Sequence, residues 1–146
     1  MARYFTLQQA EKLLPEVESA LRDAIILKQE HREAEQQLRA ATERVMMLGG
    51  VDLDRNAFRD QRSRRDASAL RLKEIVERIH ELGCLVKDLD TGLVDFPTLL
   101  HGQEVYLCWK LGESGIGYWH KVEDGYRGRQ IINQDFVDNH RGEAQN

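Results

Sequence analysis

The sequence contains few cysteines. Only Cys84 and Cys108 occur among its 146 residues, and they are far apart along the chain. Disulfide-stapled domains carry several cysteines, and structural zinc sites usually take paired ligands such as C-x-x-C. Neither pattern is present, so the sequence predicts two buried free thiols in a reducing cytosol and gives little support to a zinc site.

Long apolar runs and an excess of positive charge are also missing. No stretch approaches the roughly 20 apolar residues of a membrane span, and the first residues lack the apolar core of a secretory signal. The 21 basic and 25 acidic residues give a formal net charge of −4, which excludes a generally basic nucleic-acid binder. We therefore expect a cytoplasmic protein with neither membrane nor nucleic acid as a partner.

Catalytic signatures are absent as well. The sequence has no phosphate-binding loop, no G-x-G-x-x-G, no H-E-x-x-H and no nucleophile elbow. A cluster of five arginines could contact phosphates, but Phe58 is the lone aromatic beside it, which favours a solvated helix surface. The cluster consists of Arg55, Arg59, Arg62, Arg64 and Arg65. Whether the protein is an enzyme stays open at this stage.

Helical periodicity dominates the first part of the chain. Thr6 and Gln9 have the spacing of a capping box, and apolar residues then recur every three or four positions up to Leu48. Gly49 and its neighbour end this pattern. Pro15 predicts a kink or a short first helix, because proline cannot donate to the helical hydrogen bonds.

A second helix is predicted to begin at Asp52 or Asp54, either of which is a suitable N-cap, and to end at Gly83. Two helices of about 30 residues, each on the order of 45 Å long, should form an antiparallel hairpin over residues 1–83. The small remainder of the chain cannot cover both apolar stripes. We therefore expect a homo-oligomer formed through the helices, as in a coiled coil. A monomer with a frayed tip is the alternative.

The C-terminal part is rich in aromatic residues and is predicted to be β-structure. Strands are expected over 105–110 and 116–122, joined by the turn 112–115, with short flanking strands near 85–87 and 129–132. Seven of the ten aromatic residues lie in this part: Phe96, Tyr106, Trp109, Tyr118, Trp119, Tyr126 and Phe136.

The predicted fold is α+β, a long antiparallel helical hairpin followed by a small antiparallel sheet. We expect one domain over 1–146, made of the hairpin, a β-rich part over 84–136 and a polar, frayed tail over 137–146. With a four-residue turn, Leu107 faces His120, which places this imidazole on a mainly apolar strand face. A half-buried imidazole needs a polar partner.

An acidic run over residues 87–97 is the nearest source of such partners. Its carboxylates, with a nearby histidine, could bind a divalent cation or exchange protons, although turn chemistry explains the same residues. We predict a pair between Asp95 and His120, with Glu113 and Arg129 as second choices. A metal site would use Asp88, Asp95 and His120; the cofactor is otherwise unknown.

The segments Gly92–Pro97, Val105–Trp109 and Tyr118–His120, with Gly128-Arg129 and the N-terminal Tyr4–Leu7, resemble a family of small bacterial proteins of unknown function. The resemblance covers nearly the whole chain and is weakest over residues 28–66. It implies no activity or substrate. It does imply that six residues belong to a family pattern: Asp95, Trp109, Glu113, Trp119, His120 and Arg129.

Two functional classes follow from these observations. The favoured class is a non-catalytic, oligomeric binding or scaffold protein with a polar, aromatic-lined pocket. The six residues of the family pattern would line that pocket. The alternative is a hydrolase or nuclease-like enzyme, with Asp95 or Glu113 as base, His120 as acid and Arg129 stabilising a developing anion, helped by a divalent metal.

Overall fold

The computed structural model describes residues 3–49 and 55–143. It has the predicted α+β architecture, in which two long helices precede an antiparallel sheet. The chain divides into two compact units, one joining residues 1–21 to 76–146 and the other formed by residues 22–75. The caps predicted at Asp52 and Asp54 lie outside the described residues.

The first helix, α1, spans Leu7–Met47 and begins at the predicted capping box. The Thr6 amide donates to Gln9 Oε1 at 2.9 Å, and the Gln9 amide donates to Thr6 Oγ1 at 3.1 Å. Pro15 lies inside α1, so of the two expected outcomes, a kink or a short first helix, the short helix is wrong. A proline removes one helical hydrogen bond, and burial of the adjacent apolar residues Leu14 and Val17 offsets that loss.

The second helix, α2, spans Arg55–Glu81 and runs antiparallel to α1. Glu16 Oε1 lies 3.9 Å from Arg78 Nη2 in the first unit. In the second unit, the His31 ring donates from Nδ1 to the Arg65 carbonyl at 3.1 Å. Among the described residues of the second unit, 22–49 and 55–75, the buried side chains are small: Ala24, Ala34 and Ser68. The hairpin therefore has little apolar core of its own in that unit.

In the part of the chain that the structure describes, six strands form one antiparallel sheet with the order β1-β2-β3-β4-β5, and β6 pairs with β2. A third helix, α3, spans Gln134–Asn139. The strands are β1 Leu85–Asp88, β2 Leu93–Leu100, β3 Gln103–Lys110, β4 Tyr118–Lys121, β5 Gln130–Ile131 and β6 His140–Arg141.

Strand β2 was not predicted, because Pro97 and the acidic run favour a loop. The Pro97 carbonyl accepts the Phe5 amide at 2.7 Å, so this residue's polar backbone faces away from β3. Nitrogen and oxygen of one strand residue point to the same side, and the missing proline N–H therefore removes no bond to β3. Along this edge β1 covers Leu93–Asp95 and β6 covers Leu99–Leu100, which leaves Pro97 between them.

The predicted pairing of β3 with β4 is wrong by one residue. His120 lies opposite Tyr106, and Cys108 lies opposite Tyr118. The pairing of β3 with β4 ends at Cys108 and Tyr118, so the connection between the two strands is longer than the four-residue turn that we assumed. A shift of one residue moves every side chain of β4 to the other face of the sheet. His120 therefore shares a face with Tyr106 and not with Leu107.

Two faces of the sheet result from this register. The first, which we call the Trp109 face, carries Val94, Phe96, Leu107 and Trp109, and all four are buried. Phe5 packs edge-on against Phe96 with ring centroids 5.5 Å apart. The opposite His120 face carries Asp95, Tyr106, Cys108, Tyr118 and His120.

The segment from Gln134 to Arg141 is ordered into α3 and β6, where we expected a frayed tail over 137–146. The Asn133 side chain caps α3 by accepting the Phe136 amide at 2.9 Å. Phe136 is buried, and His140 Nε2 accepts the Leu7 amide at 2.9 Å. This difference concerns residues up to 143, which the structure describes.

Candidate functional site on the His120 face

Three potential ligand side chains meet on the His120 face, each from a different central strand. Asp95 comes from β2, Cys108 from β3 and His120 from β4. One ligand atom from each lies within 4.8 Å of the others, and all three residues are buried. We call them the Asp-Cys-His cluster.

The predicted pair between Asp95 and His120 is present. His120 Nε2 lies 3.1 Å from Asp95 Oδ1 and 3.0 Å from Oδ2, and each side chain is 3% exposed. On the other side of the ring, Nδ1 lies 2.7 Å from the Lys121 carbonyl, which can only accept, so Nδ1 carries a proton. A second proton, shared between Nε2 and the carboxylate, completes the pair.

Cys108 completes the cluster, and the sequence did not single it out. Burial is the main cause that raises the pKa of its thiol to about 12, and the charge and hydrogen bond of Asp95 add to it, whereas Arg129 acts in the opposite direction. The thiol is therefore protonated at neutral pH. Its position opposite Asp95 could have been found only with β2 in place, because neighbouring strands bring these two residues together.

A cavity of about 150 Å³ opens beside the cluster. Besides the cluster it is lined by Lys87, Leu93, Tyr106, Val122, Gly125 and Tyr126. Lys87 Nζ lies 5.0 Å from the Tyr106 ring centroid. Burial first, and then the charges of Glu104 and Asp95, raise the pKa of Tyr106, so its phenol stays protonated. The cavity thus presents a cation and hydrogen-bond donors beside a buried polar pair.

Glu113 and Arg129 form a second polar pair on the same side. Arg129 Nη2 donates to Glu113 Oε1 at 2.6 Å and to the Cys108 carbonyl at 3.4 Å, and its guanidinium lies 4.0 Å from the Tyr118 ring centroid. Burial lowers the pKa of Arg129, but the hydrogen bond and charge of Glu113 outweigh it, so the pKa lies above its ordinary value. Arg129 is already engaged by Glu113.

Three predicted site residues lie elsewhere. Asp88 accepts the Asp90 amide at 2.9 Å and lines a neighbouring cavity of about 320 Å³, outside the cluster. Trp109 is on the opposite face, where its indole N–H donates to the Glu113 carbonyl at 3.1 Å, and the Trp119 ring lies 5.2 Å from the Phe136 ring. The aromatic lining of the cavity comes from tyrosines and not from tryptophans.

Comparison with known protein families places the chain in one family. The DUF2203 family, described as an uncharacterized conserved protein family, matches residues 3–132, a range that includes the whole cluster. The chain belongs to the DUF2203 family, which confirms the resemblance to proteins of unknown function. No curated protein and no solved structure gave a match. Within residues 3–49 and 55–143, no helix has the length and apolar character that crossing a membrane requires.

Proposed function

We propose that the protein is a non-catalytic binding protein that holds a small polar ligand in the cavity of the His120 face. The observation that carries this proposal is the buried Asp95–His120 pair on the cavity wall. Buried polar pairs cost desolvation energy and are no better for stability than apolar packing. Their presence beside an open cavity therefore supports a binding role.

The size and lining of the cavity restrict the ligand. A volume of about 150 Å³ lies below the range of about 300 to 1,000 Å³ that is usual for ligand pockets. This suits a small molecule, or one end of a larger one that continues into the neighbouring cavity, which shares Leu93 and Tyr126. The Lys87 ammonium and the Tyr106 phenol are donors, so the ligand needs an acceptor group.

A fragment screen observed by ¹H–¹⁵N NMR on the full chain tests this proposal. Fragments with a carboxylate or carbonyl should shift the amides of Lys87, Tyr106 and Tyr126. Lys87→Met should weaken their binding about 10-fold or more, which is about 1.4 kcal/mol. Lys12→Met, an exposed lysine of α1, is the matched control and should leave binding unchanged. Fragments that bind only elsewhere, or equally well to Lys87→Met, would contradict the proposal.

The hydrolase or nuclease-like alternative is not favoured. It requires the carboxylate, imidazole and guanidinium to act on one substrate. The guanidinium of Arg129 is instead bound to Glu113 and stacked on Tyr118, whereas His120 is bound to Asp95. Arg129 and His120 are each bound by a different carboxylate, and nothing in the family identifies an activity.

Self-association in the cytoplasm is the second part of the proposal. In support of it, the described part of unit 22–75 buries few side chains and exposes large apolar ones, among them Ile26 at 57% and Leu70 at 59%. A second copy of the chain could cover these side chains by packing its helices against them.

A further inference from the structure

We infer that Asp95, Cys108 and His120 form a binding site for one zinc-type divalent metal ion, with a remaining coordination position open to the cavity. This inference deepens the proposed function and rests on it, because the metal would hold the ligand that the cavity admits. The expected set of Asp88, Asp95 and His120 is thereby changed, with Cys108 in place of Asp88.

The donor set determines the class of metal. The cluster offers one sulfur, one imidazole nitrogen and carboxylate oxygen, which are the three ligand types of protein zinc sites. Magnesium and calcium prefer oxygen ligands, and a thiolate selects against them. The site is therefore suited to Zn²⁺ and to Co²⁺, which adopts similar coordination.

The orientation of His120 matches that of a metal ligand. Metal-binding histidines usually donate their other ring N–H to a backbone carbonyl or carboxylate, which fixes the tautomer. Nδ1 of His120 donates to the Lys121 carbonyl at 2.7 Å, and Nε2 is thereby directed at the Asp95 oxygens. The Nδ1 bond therefore leaves Nε2 as the ring nitrogen that is directed towards the other ligands.

The distances between the ligand atoms require only small changes: the His120 Nε2 to Asp95 separation of 3.0 to 3.1 Å must open slightly, and longer separations must close. The three ligand atoms lie within 4.8 Å of one another. Metal–ligand bonds of about 2.0 to 2.3 Å place tetrahedral ligand atoms about 3.3 to 3.8 Å apart. Side-chain movements of about 1 Å therefore suffice to close the site around an ion.

The charges balance when the ion enters. In the metal-free site the thiol holds one proton and the Asp95–His120 pair shares another. The ion displaces both protons, which pass to the solvent, so the S–H bond breaks while bonds from the metal to sulfur, nitrogen and oxygen form. The remaining carboxylate and thiolate carry two negative charges, which the 2+ ion neutralises. Without an ion, this buried dianion would be very costly.

Three protein ligands leave room for a fourth. Zinc sites with three protein ligands keep a position for water or for a small molecule. Here that position faces the cavity that Lys87 and Tyr106 line. The inferred ligand class is thus a small molecule with an anionic or carbonyl oxygen that coordinates the ion.

Titration of the full chain with Co²⁺ tests the inference. We expect one equivalent to give the visible bands of tetrahedral cobalt together with a thiolate charge-transfer band, and Zn²⁺ to displace it. Excess Mg²⁺ should not displace the bound Co²⁺. Cys108→Ser should abolish the charge-transfer band and weaken Co²⁺ binding about 100-fold or more. Cys84→Ser is the matched control, because Cys84 is also buried but donates to the Ile79 carbonyl. This variant should keep the charge-transfer band and the affinity for Co²⁺.

Several outcomes would overturn the inference. These are the absence of tetrahedral cobalt bands, or a charge-transfer band lost in Cys84→Ser and kept in Cys108→Ser. Circular dichroism checks folding, and if Cys108→Ser does not fold, amide shifts on adding Zn²⁺ to the unaltered chain decide. Shifts centred on Asp95, Cys108 and His120 support the site, and shifts elsewhere oppose it.

The fragment screen separates this inference from the proposed function. Run in EDTA and again with Zn²⁺, it has distinct outcomes for the two claims. If fragments bind the cavity in EDTA and the chain binds no cobalt, the proposed function stands and the metal site is rejected. If the chain binds cobalt at this site but no fragment binds under either condition, the metal site stands and the ligand pocket is rejected.

Discussion

His120 shows how a single residue depends on its neighbours in the sheet. Both ring nitrogens face acceptors, Lys121 on one side and Asp95 on the other, and the side chain is 3% exposed. Both bonds are buried, and a buried polar group that loses its partner is costly. The stability of the His120 face should therefore respond strongly to changes at Asp95.

Asp95→Asn should lower the free energy of unfolding by about 3 kcal/mol, because it leaves a buried imidazole without its charged partner. Urea unfolding at neutral pH measures the change. Asp60→Asn is the matched control, since Asp60 is exposed on α2, and its effect should stay within about 0.5 kcal/mol. Equal effects of the two substitutions would show that the pair contributes nothing.

Cys84 predicts a loss of stability at alkaline pH. Burial raises the pKa of its thiol to about 11, from an ordinary value of 9.0. The folded thiol holds its proton more tightly than the unfolded one, so its contribution is complete below pH 9 and is lost as the pH rises towards 11. The loss should approach about 1.4 kcal/mol per pH unit in that interval.

Urea unfolding between pH 8 and 11 measures this slope, and Cys84→Ala is the comparison. The variant should be less stable at pH 8, because its smaller side chain leaves a cavity, but its stability should fall less steeply. Parallel curves for the two proteins would contradict the assignment.

The sequence predicted part of the site for sound physical reasons. His120 was expected to need a carboxylate, and the acidic run supplied Asp95, which the structure bears out. The predicted register had nevertheless placed His120 on the wrong face of the sheet, and the pair forms because the actual register puts His120 on the same face as Asp95. Cys108 was not predicted as a partner, since its position beside Asp95 depends on the pairing of β2 with β3.

At the scale of elements, the start of α1 allows a clean test of capping. Thr6→Ala removes the acceptor of the Gln9 amide and should cost about 1 kcal/mol of the free energy of unfolding. Thr42→Ala, in the same helix, is the control. Thr42 Oγ1 bonds back to the Leu38 carbonyl, and alanine has the higher helix propensity, so this change should be neutral or slightly stabilising.

Urea unfolding of the two threonine variants gives the comparison. A cost at Thr42 equal to that at Thr6 would indicate a general effect of losing threonine and not a cap.

The helices were predictable because periodicity and capping are local. The sheet was harder. Strand β3 is buried at every position from Val105 to Trp109, so no alternation of polar and apolar residues marks one face. The register then depends on the loop, where the Glu113 carboxylate accepts the Lys110 amide at 2.7 Å. Sequence spacing alone could not reveal this bond.

At the scale of the whole molecule, self-association predicts a measurable mass. Light scattering at micromolar concentration should give a multiple of 16.9 kDa. Leu70→Glu should shift the mass towards the monomer without changing the circular dichroism, because this leucine is 59% exposed. Ile79→Asp should unfold the chain instead, since Ile79 is fully buried. A wild-type mass of 16.9 kDa would reject the oligomer.

The bonds that join distant parts of the sequence have a consequence for folding kinetics. The Leu7 amide and His140 Nε2 are 133 positions apart in the sequence, and the Glu143 amide donates to the Tyr4 carbonyl. Unit 22–75, by contrast, is continuous in sequence and closes a much shorter loop. Because closing longer loops is slower, the hairpin amides within 22–75 should gain protection before the Leu7 and Glu143 amides during refolding. Pulsed hydrogen exchange would record this order, and simultaneous protection would instead indicate a single cooperative step.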